Sequence, residues 1–226
     1  MQQYAEFLAN IKLFRGFTPA QVSELLLQCG ARTRTYQKGE TAIRRGERIG
    51  SIGILLTGEM LGQTVTAEGS ATTIHHMLPG AVFGDVLSGS SGTSPVTVTA
   101  QGESRVLWLG LSQLLLLQGN AKLQAAFLRN FIETISDKYF ALSFRVELLC
   151  ERRLRSRIAR YLLHLSAQQG SVVVTLPQQS RADLADYLAC ERSALCRELS
   201  RMQQEGLLQL KKRAVTLLDT AALESL

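Results

Sequence analysis

AKLQAAFLRNFIETISDKYFALSFRVELL, residues 121–149, decides how the rest of the chain is read. Ala121, Ala125, Leu128, Ile132, Ile135, Tyr139, Leu142, Val146 and Leu149 follow one another at steps of 4, 3, 4, 3, 4, 3, 4 and 3. This a/d pattern runs over about four heptads, and one helix alone cannot bury so narrow a seam. The spacing predicts a parallel two-stranded coiled coil, hence a homodimer, with Leu128 through Leu149 of the series at the interface. The alternative is an internal core helix, which usually carries a wider and less regular stripe. Phe127, Phe131 and Phe144 lie off the seam and are expected to pack against the residues upstream.

Those upstream residues have a different period. After two short helical stretches, Ala5 to Leu13 and Pro19 to Gln28, the chain from Thr33 to Trp108 alternates short β runs with turns. The turns fall at Gly39-Glu40, Gly46-Glu47, Gly50, Gly53, Gly58-Glu59, Gly62, Gly69, Pro79-Gly80 and Gly84-Asp85. Many short strands so punctuated indicate a sandwich or barrel rather than a βαβ sheet. The Ser/Gly-rich stretch from Ser88 to Ser94 reads as a loop inside this domain, because Val96, Val98 and Val106 to Leu109 resume strand alternation; a flexible linker is the other reading.

Downstream, a helix is expected from Glu151 to about Ala167, with Leu154, Ile158, Tyr161, Leu162 and Leu165 buried and Arg152, Arg153, Arg155 and Arg157 facing outward. Ser180-Arg181-Ala182-Asp183 fits a capping box, so a helix starts there. A second opens at Glu191-Arg192-Ser193, with Leu195, Leu199 and Met202 as its core stripe. Ser193, Arg197, Ser200 and Gln204 then lie about opposite, with Arg201 at their flank. Two short helices joined by a tight turn match a helix-turn-helix whose second helix enters the major groove. Gly206 ends that helix. Leu207 to Leu210 and Ala214 to Leu218 flank a basic tip, Lys211-Lys212-Arg213, as the two strands of a wing. The candidate DNA contacts are Ser180, Arg181, Arg192, Ser193, Arg197, Arg201, Lys211, Lys212 and Arg213.

Charge and composition agree with this division. The 226 residues are 46% hydrophobic and 19% charged, which favours folded domains over disorder. Residues 1–118 hold nine Lys+Arg against eight Asp+Glu, whereas residues 119–226 hold sixteen against eleven, so the net charge of +6 sits mostly in the second half. That half is the candidate for a polyanion partner; a solvated basic face is the bland reading. The four cysteines, Cys29, Cys150, Cys190 and Cys196, form no C-x-x-C pair, which points to neither a disulfide framework nor a zinc site. No apolar run reaches membrane-spanning length, and the N-terminus lacks the signature of a secretion signal, so a cytoplasmic protein is expected. The expected division is a domain at 1–118, a dimerisation helix at 119–149 and a DNA-binding domain at 150–226.

Gly39-Glu40, Gly46-Glu47, Gly53-Ile54-Leu55-Leu56-Thr57-Gly58-Glu59, Pro79-Gly80-Ala81-Val82-Phe83-Gly84-Asp85, the heptad helix and Ser180 through Gly206 together resemble the cyclic-AMP receptor protein/FNR superfamily of bacterial transcription regulators. The resemblance extends over essentially the whole chain. It implies an α+β fold: an N-terminal cyclic-nucleotide-binding-like double-stranded β-helix (jelly roll), a long dimerisation helix and a C-terminal winged helix-turn-helix. It also implies a switch in which a ligand in the β-roll re-aims the DNA-binding domains, with RNA polymerase as a further partner. Ser193 stands where the family's recognition helix carries a glutamate, so base preference there should differ. Ala189 stands where the turn usually has glycine.

The resemblance places a small-molecule effector pocket at Gly84, Asp85, Ser94, Pro95 and Val96. Cyclic-nucleotide binders pair an arginine with the cyclic phosphate in this region, but here Thr93-Ser94-Pro95-Val96 supplies no cation. No Lys or Arg occurs between Ile49 and Ser104. A buried phosphate without a positive partner is expensive, so cyclic AMP and cyclic GMP are expected to bind weakly or not at all. An anion nest of Ser/Gly backbone amides is an alternative. The family's iron-sulfur members use an N-terminal cysteine cluster that this chain lacks. His75 and His76, adjacent on a strand, point to opposite faces and cannot chelate one ion together; one of them as an axial ligand leaves a haem-based sensor as a competing function. A cupin-like binding protein or enzyme is the third, although no nucleophile-base pair or Walker-type loop is apparent. The leading expectation is a non-enzymatic, dimeric regulator that needs no cofactor and binds double-stranded DNA at a roughly palindromic site.

Overall fold

The computed structural model describes residues 2–65, 71–88, 92–115, 121–178, 180–211 and 214–226. Contacts divide the chain into two compact units, one up to Asp137 and one from Lys138 on.

In the first unit, helices α1 (Ala5–Ala9) and α2 (Pro19–Gln28) precede the strands. Thr18 caps α2 through a reciprocal pair of bonds with Gln21, and Pro19 follows at the first helical position, where its missing N–H costs nothing. Then come β1 (Arg32–Tyr36), β2 (Thr41–Ile43), β3 (Ser51–Thr57), β4 (Met60–Val65), β5 (Ala71–Met77), β6 (Val82–Phe83), the one-turn helix α3 (Asp85–Ser88), β7 (Thr97–Ala100), β8 (Ser104–Gly110) and helix α4 (Leu111–Leu115). The strands form two four-stranded antiparallel sheets, in the orders β1-β8-β3-β6 and β2-β7-β4-β5. Tyr36, Leu55, Phe83 and Val106 from one sheet meet Ile43, Met60, Met77 and Val98 from the other in a common core, as a jelly roll requires.

The sheet containing β3 and β8 is buried on both faces. Ile52, Ile54, Leu56, Leu107 and Leu109 form a second core with Leu8, Phe14, Val22 and Leu26. A strand covered on both sides reads as an unbroken apolar run, which is why Ile52 to Leu56 shows no alternation. Gly53 interrupts that run for a steric reason: a Cβ there would stand 2.7 Å from Phe83 Cζ, so the ring occupies the space a side chain would need.

Helix α5 (Ala121–Cys150) spans 30 residues and contributes to both units. Its first half belongs to the β-roll unit, where Phe127 and Phe131 join the core and Phe127 tilts against Phe14 at 5.8 Å between centroids. Asn130, buried in the helix, donates from Nδ2 to the carbonyls of Leu13 (3.2 Å) and Arg15 (2.9 Å). Lys12 with Asp137 and Arg15 with Glu133 add ion pairs to the same contact.

The second unit holds the last turns of α5, then α6 (Leu154–Gln169), β9 (Val173–Thr175), α7 (Arg181–Tyr187), α8 (Arg192–Gln204), β10 (Leu208–Lys211), β11 (Ala214–Leu217) and α9 (Thr220–Glu224). Leu148, Ile158, Leu162, Leu184, Leu195, Leu199, Met202 and Val215 are among its core. β10, β11 and β9 form an antiparallel sheet in that order. The architecture is the α+β one expected, with a jelly roll, a long helix and a winged helix-turn-helix.

Four local expectations are corrected. Phe144 packs within the second unit, its ring stacked on His164 at 3.6 Å, because α6 folds back along the end of α5. α6 begins at Leu154, since residues 151–153 form the bend that reverses the chain. Arg155 and Arg157 do not face outward: both are half-buried, and their guanidinium groups reach groups elsewhere in the unit. The wing also gains a third strand, β9, from the β-branched run Val172-Val173-Val174-Thr175.

Candidate nucleic-acid interface

The helix pair is built from local chemistry. Ser180 Oγ accepts from the Asp183 amide (3.1 Å), and Asp183 Oδ2 accepts from the Ser180 amide (2.9 Å), closing the capping box that starts α7. After Leu188, the turn passes through Ala189 with φ +48°, a left-handed conformation. Such a backbone costs an L-residue about 1–2 kcal/mol. Glu191 then opens α8, and Gly206 at φ +75° closes it one residue past the C-cap Glu205.

On α8, Leu195, Leu199 and Met202 are buried, while Arg192, Ser193, Arg197, Ser200, Arg201 and Gln204 are exposed. Among the described residues, Arg192 and Arg197 form no ion pair, leaving two exposed guanidinium groups, Arg197 on the face opposite the stripe and Arg192 in the first turn. Arg201 lies 3.7 Å from Glu198, which also faces Arg155. Gln203 Oε1 accepts from the Leu210 amide at 2.8 Å, tying the helix to the first wing strand. Lys211 is exposed at the end of that strand; Lys212 and Arg213 lie outside the described residues. Ser180 is exposed with its hydroxyl committed to the cap, and Arg181 is half-buried with Nη1 out of solvent and without a hydrogen bond. Cys196 shares the exposed face with Ser193 and Ser200; the polar pattern that picked out its neighbours passed over it.

Behind this face, aromatic and cationic groups join the elements. Arg145 lies over the Tyr187 ring at 5.1 Å, and Tyr187 tilts against Tyr161 at 5.1 Å between centroids. Burial pushes the Tyr187 phenol up in pKa, and Arg145 works against it. Arg160 pairs with Glu147 (3.1 Å) and Glu151 (2.7 Å), fastening α6 to the end of α5. Along α5 itself, Ile132, Tyr139, Leu142 and Val146 are 55–64% exposed in the single chain. Leu149 is also exposed, while Leu128 and Ile135 are half-buried.

In the β-roll, Asp85 begins α3 and is buried; Ser94 is buried as well, and its Oγ donates to the Val96 carbonyl at 2.7 Å. The Ser94 amide donates to the Glu47 carbonyl and its carbonyl accepts from the Gly46 amide, each at 2.8 Å, so its backbone is bound to the loop between β2 and β3. Pro95 is exposed, and Gly84 turns at φ +70°. An open groove of about 290 Å³ lies beside them, lined by Arg34, Tyr36, Glu47, Arg48, Ser51 and Trp108 among others, and including none of Gly84, Asp85, Ser94, Pro95 and Val96. Arg48, from the loop between β2 and β3, thus lines a concavity in the roll together with Arg34. His76 pairs with Glu59 at 2.6 Å. No group of three or more His, Cys, Asp or Glu among the described residues is placed to hold a metal, and no helix among them is long and apolar enough to cross a membrane.

A jelly roll followed by a long helix, an exposed second helix of a helix pair and a wing defines a class, the winged helix-turn-helix protein with an N-terminal β-roll domain. Residues 33–118 match the family model of the cyclic nucleotide-binding domain, and residues 156–226 that of the Crp-like helix-turn-helix domain. Transcriptional activator protein FnrA of Stutzerimonas stutzeri is 29% identical over 202 residues, covering 85% of this chain and 79% of that protein. Transcriptional regulator LdrP of Thermus thermophilus is 27% identical over 198 residues, covering 84% and 94%. The crystal structure of the Thermus thermophilus Catabolite Activator Protein shares the fold, with a TM-score of 0.56 at 21% identity, over 95% of this chain and 97% of that one. The chain belongs to the CRP/FNR superfamily of bacterial transcription regulators.

Proposed function

We propose that this chain is a homodimeric, sequence-specific DNA-binding transcription regulator, non-enzymatic and cytoplasmic, controlled by a small-molecule signal received in the β-roll. In this reading residues 1–118 are the sensor, 119–149 the dimerisation helix and 150–226 the DNA-binding domain. The observation that carries it is the surface of α8, where Ser193 and Arg197 stand exposed opposite a buried Leu195-Leu199-Met202 stripe and Arg192 is exposed in the first turn. A guanidinium bidentate to guanine O6 and N7 contributes about 1–3 kcal/mol of discrimination. Lys211, with Lys212 and Arg213 beyond it, supplies phosphate contacts from the wing. The seam of α5 supports the dimer, and a two-fold pair of recognition helices suits half-sites roughly 34 Å apart.

The signal is not cyclic AMP in this reading, and no cofactor is required. Support comes from the region where the family resemblance puts the cyclic phosphate: Ser94 has its hydroxyl and backbone committed, and no cation lies in the Thr93 to Val96 segment. RNA polymerase is the expected partner once DNA is bound.

Selection of operators from random duplexes tests the reading. Enrichment of a roughly palindromic site of about 20 base pairs, lost in Arg192→Ala and Arg197→Ala, is the expected result. Binding that is sequence-blind and vanishes with modest salt would overturn it.

A further inference from the structure

Arg157 lies in the first turns of α6 with its guanidinium half-buried and no acid beside it among its hydrogen-bond partners. Its Nη1 donates to the carbonyls of Leu188 (2.6 Å) and Ala189 (3.2 Å), and its Nη2 donates to the carbonyl of Glu151 (2.8 Å). The first two carbonyls belong to the turn between α7 and α8. The third belongs to the bend that follows α5, immediately after the last residue of the long helix. One planar cation therefore spans two of the places where the second unit changes direction. Its fork of fixed donors suits this task, and charge-assisted bonds are the stronger kind.

The turn it holds is the strained one. Ala189 is the one non-glycine residue with positive φ among the described residues, and Leu188 and Ala189 precede the N-cap of the recognition helix by only a few residues. Main-chain bonds from the Ala189 amide to the Asp186 carbonyl and from the Cys190 amide to the Ala185 carbonyl also hold this turn, so withdrawing the Arg157 donors removes part of what opposes relaxation of Ala189 toward ordinary backbone. The angle at which α8 leaves the turn then becomes variable.

We propose that Arg157 is a positioning residue that couples the bend after the long helix to the helix-turn-helix turn, so that the state of the one fixes the aim of the recognition helix in the other. The proposal rests on the DNA-binding reading above for its affinity readout, and stands on its own for its two structural readouts. A salt bridge to DNA is not the role assigned, because Nη1 and Nη2 are bound to main-chain carbonyls and Nε is buried away from solvent.

The test uses the full chain with Arg157→Gln, Arg157→Lys and the pair Arg157→Gln with Ala189→Gly. Arg152 and Arg153 lie in the bend, so trypsin reports its opening directly, with fragment ends assigned by mass. The expected result for Arg157→Gln is cleavage at Arg152 and Arg153 several-fold faster than in the parent, and operator affinity lower by tenfold or more. The slope of log affinity against log salt should stay at the parent value. Adding Ala189→Gly should recover most of the affinity, since glycine holds φ +48° unaided, and leave the fast cleavage in place. Arg157→Lys, with its donors at a single point, should cleave as Arg157→Gln does.

Parent-like cleavage and affinity in Arg157→Gln would overturn the proposal. So would a salt slope lower by about one charge, which marks a direct phosphate contact, full rescue by lysine, or no recovery on adding Ala189→Gly. Thermal melting of each variant guards against simple unfolding. If the parent chain selects no operator at all, the functional reading fails, while cleavage and melting still decide whether Arg157 bridges bend and turn.

Discussion

Replacing Leu142 by aspartate in the long helix probes the dimer through a residue that contributes little to the single chain. Leu142 is 62% exposed there, and its seam neighbours Ile132, Tyr139 and Val146 are 63%, 64% and 55% exposed. Full burial of such a side chain contributes about 1.5–3 kcal/mol, so covering the exposed part of each one contributes about 1–2 kcal/mol. Each dimer buries two copies, and losing both Leu142 side chains costs about 2–4 kcal/mol. At 1.4 kcal/mol per tenfold, dissociation should strengthen by roughly 30- to 700-fold, before the repulsion between two facing carboxylates is added. Sedimentation velocity across a concentration series is the assay, with far-UV circular dichroism to check that the fold survives. The parent should sediment as a dimer at micromolar concentration and the variant as a monomer with unchanged helicity. A variant that dimerises like the parent would refute the seam, and a parent that is monomeric with and without operator would refute the dimer.

Other outcomes follow from single contacts. Gly53→Ala places a Cβ at 2.7 Å from Phe83 Cζ, and overpacking of this kind costs about 1–3 kcal/mol; the loss in thermal stability should shrink when Phe83→Leu is added. Leu199→Ala, at a site 2% exposed in the core of α8, should destabilise the second unit by about 2–5 kcal/mol in denaturant titration and weaken DNA binding through the helix's position. Burial lowers the pKa of His164, which stacks on Phe144, so the unfolded chain takes up this proton more readily than the folded one. Stability is therefore unaffected by this group above its ordinary value near 6.5 and falls as pH drops below it. A melting series from pH 7.5 to 5.5 should show the loss, and His164→Phe should flatten it.

The buried Cys29 illustrates how position sets reactivity: burial pushes its thiol up to about 11, whereas Cys150 and Cys196 are exposed. Thiol reagents at neutral pH should label the latter two first, as mass mapping of the native protein would show.

The heptad steps from Ala121 to Leu149, the capping box at Ser180 to Asp183, the stripe Leu195-Leu199-Met202 and the glycine at 206 were legible in the sequence because each is short-range. Their physics involves residues three or four apart on one helix, or a side chain and the next turn's amide. The exposed face of α8 followed from the same periodicity, and with it Ser193, Arg197, Ser200 and Gln204. The division between β runs and helices was legible for a similar reason, since the period of the apolar residues changes near Asn120.

What depended on distant partners was not legible. Arg157 was expected to face outward, yet its carbonyl partners lie six, 31 and 32 residues away and meet it only after α6 folds back on α5. Phe144 was assigned to the wrong neighbour by the same reversal. Periodicity states which face of an element is apolar. The element that covers that face, and the carbonyls left for a buried guanidinium to find, depend on how the chain turns between elements, and those turns are fixed by packing of residues far apart in sequence.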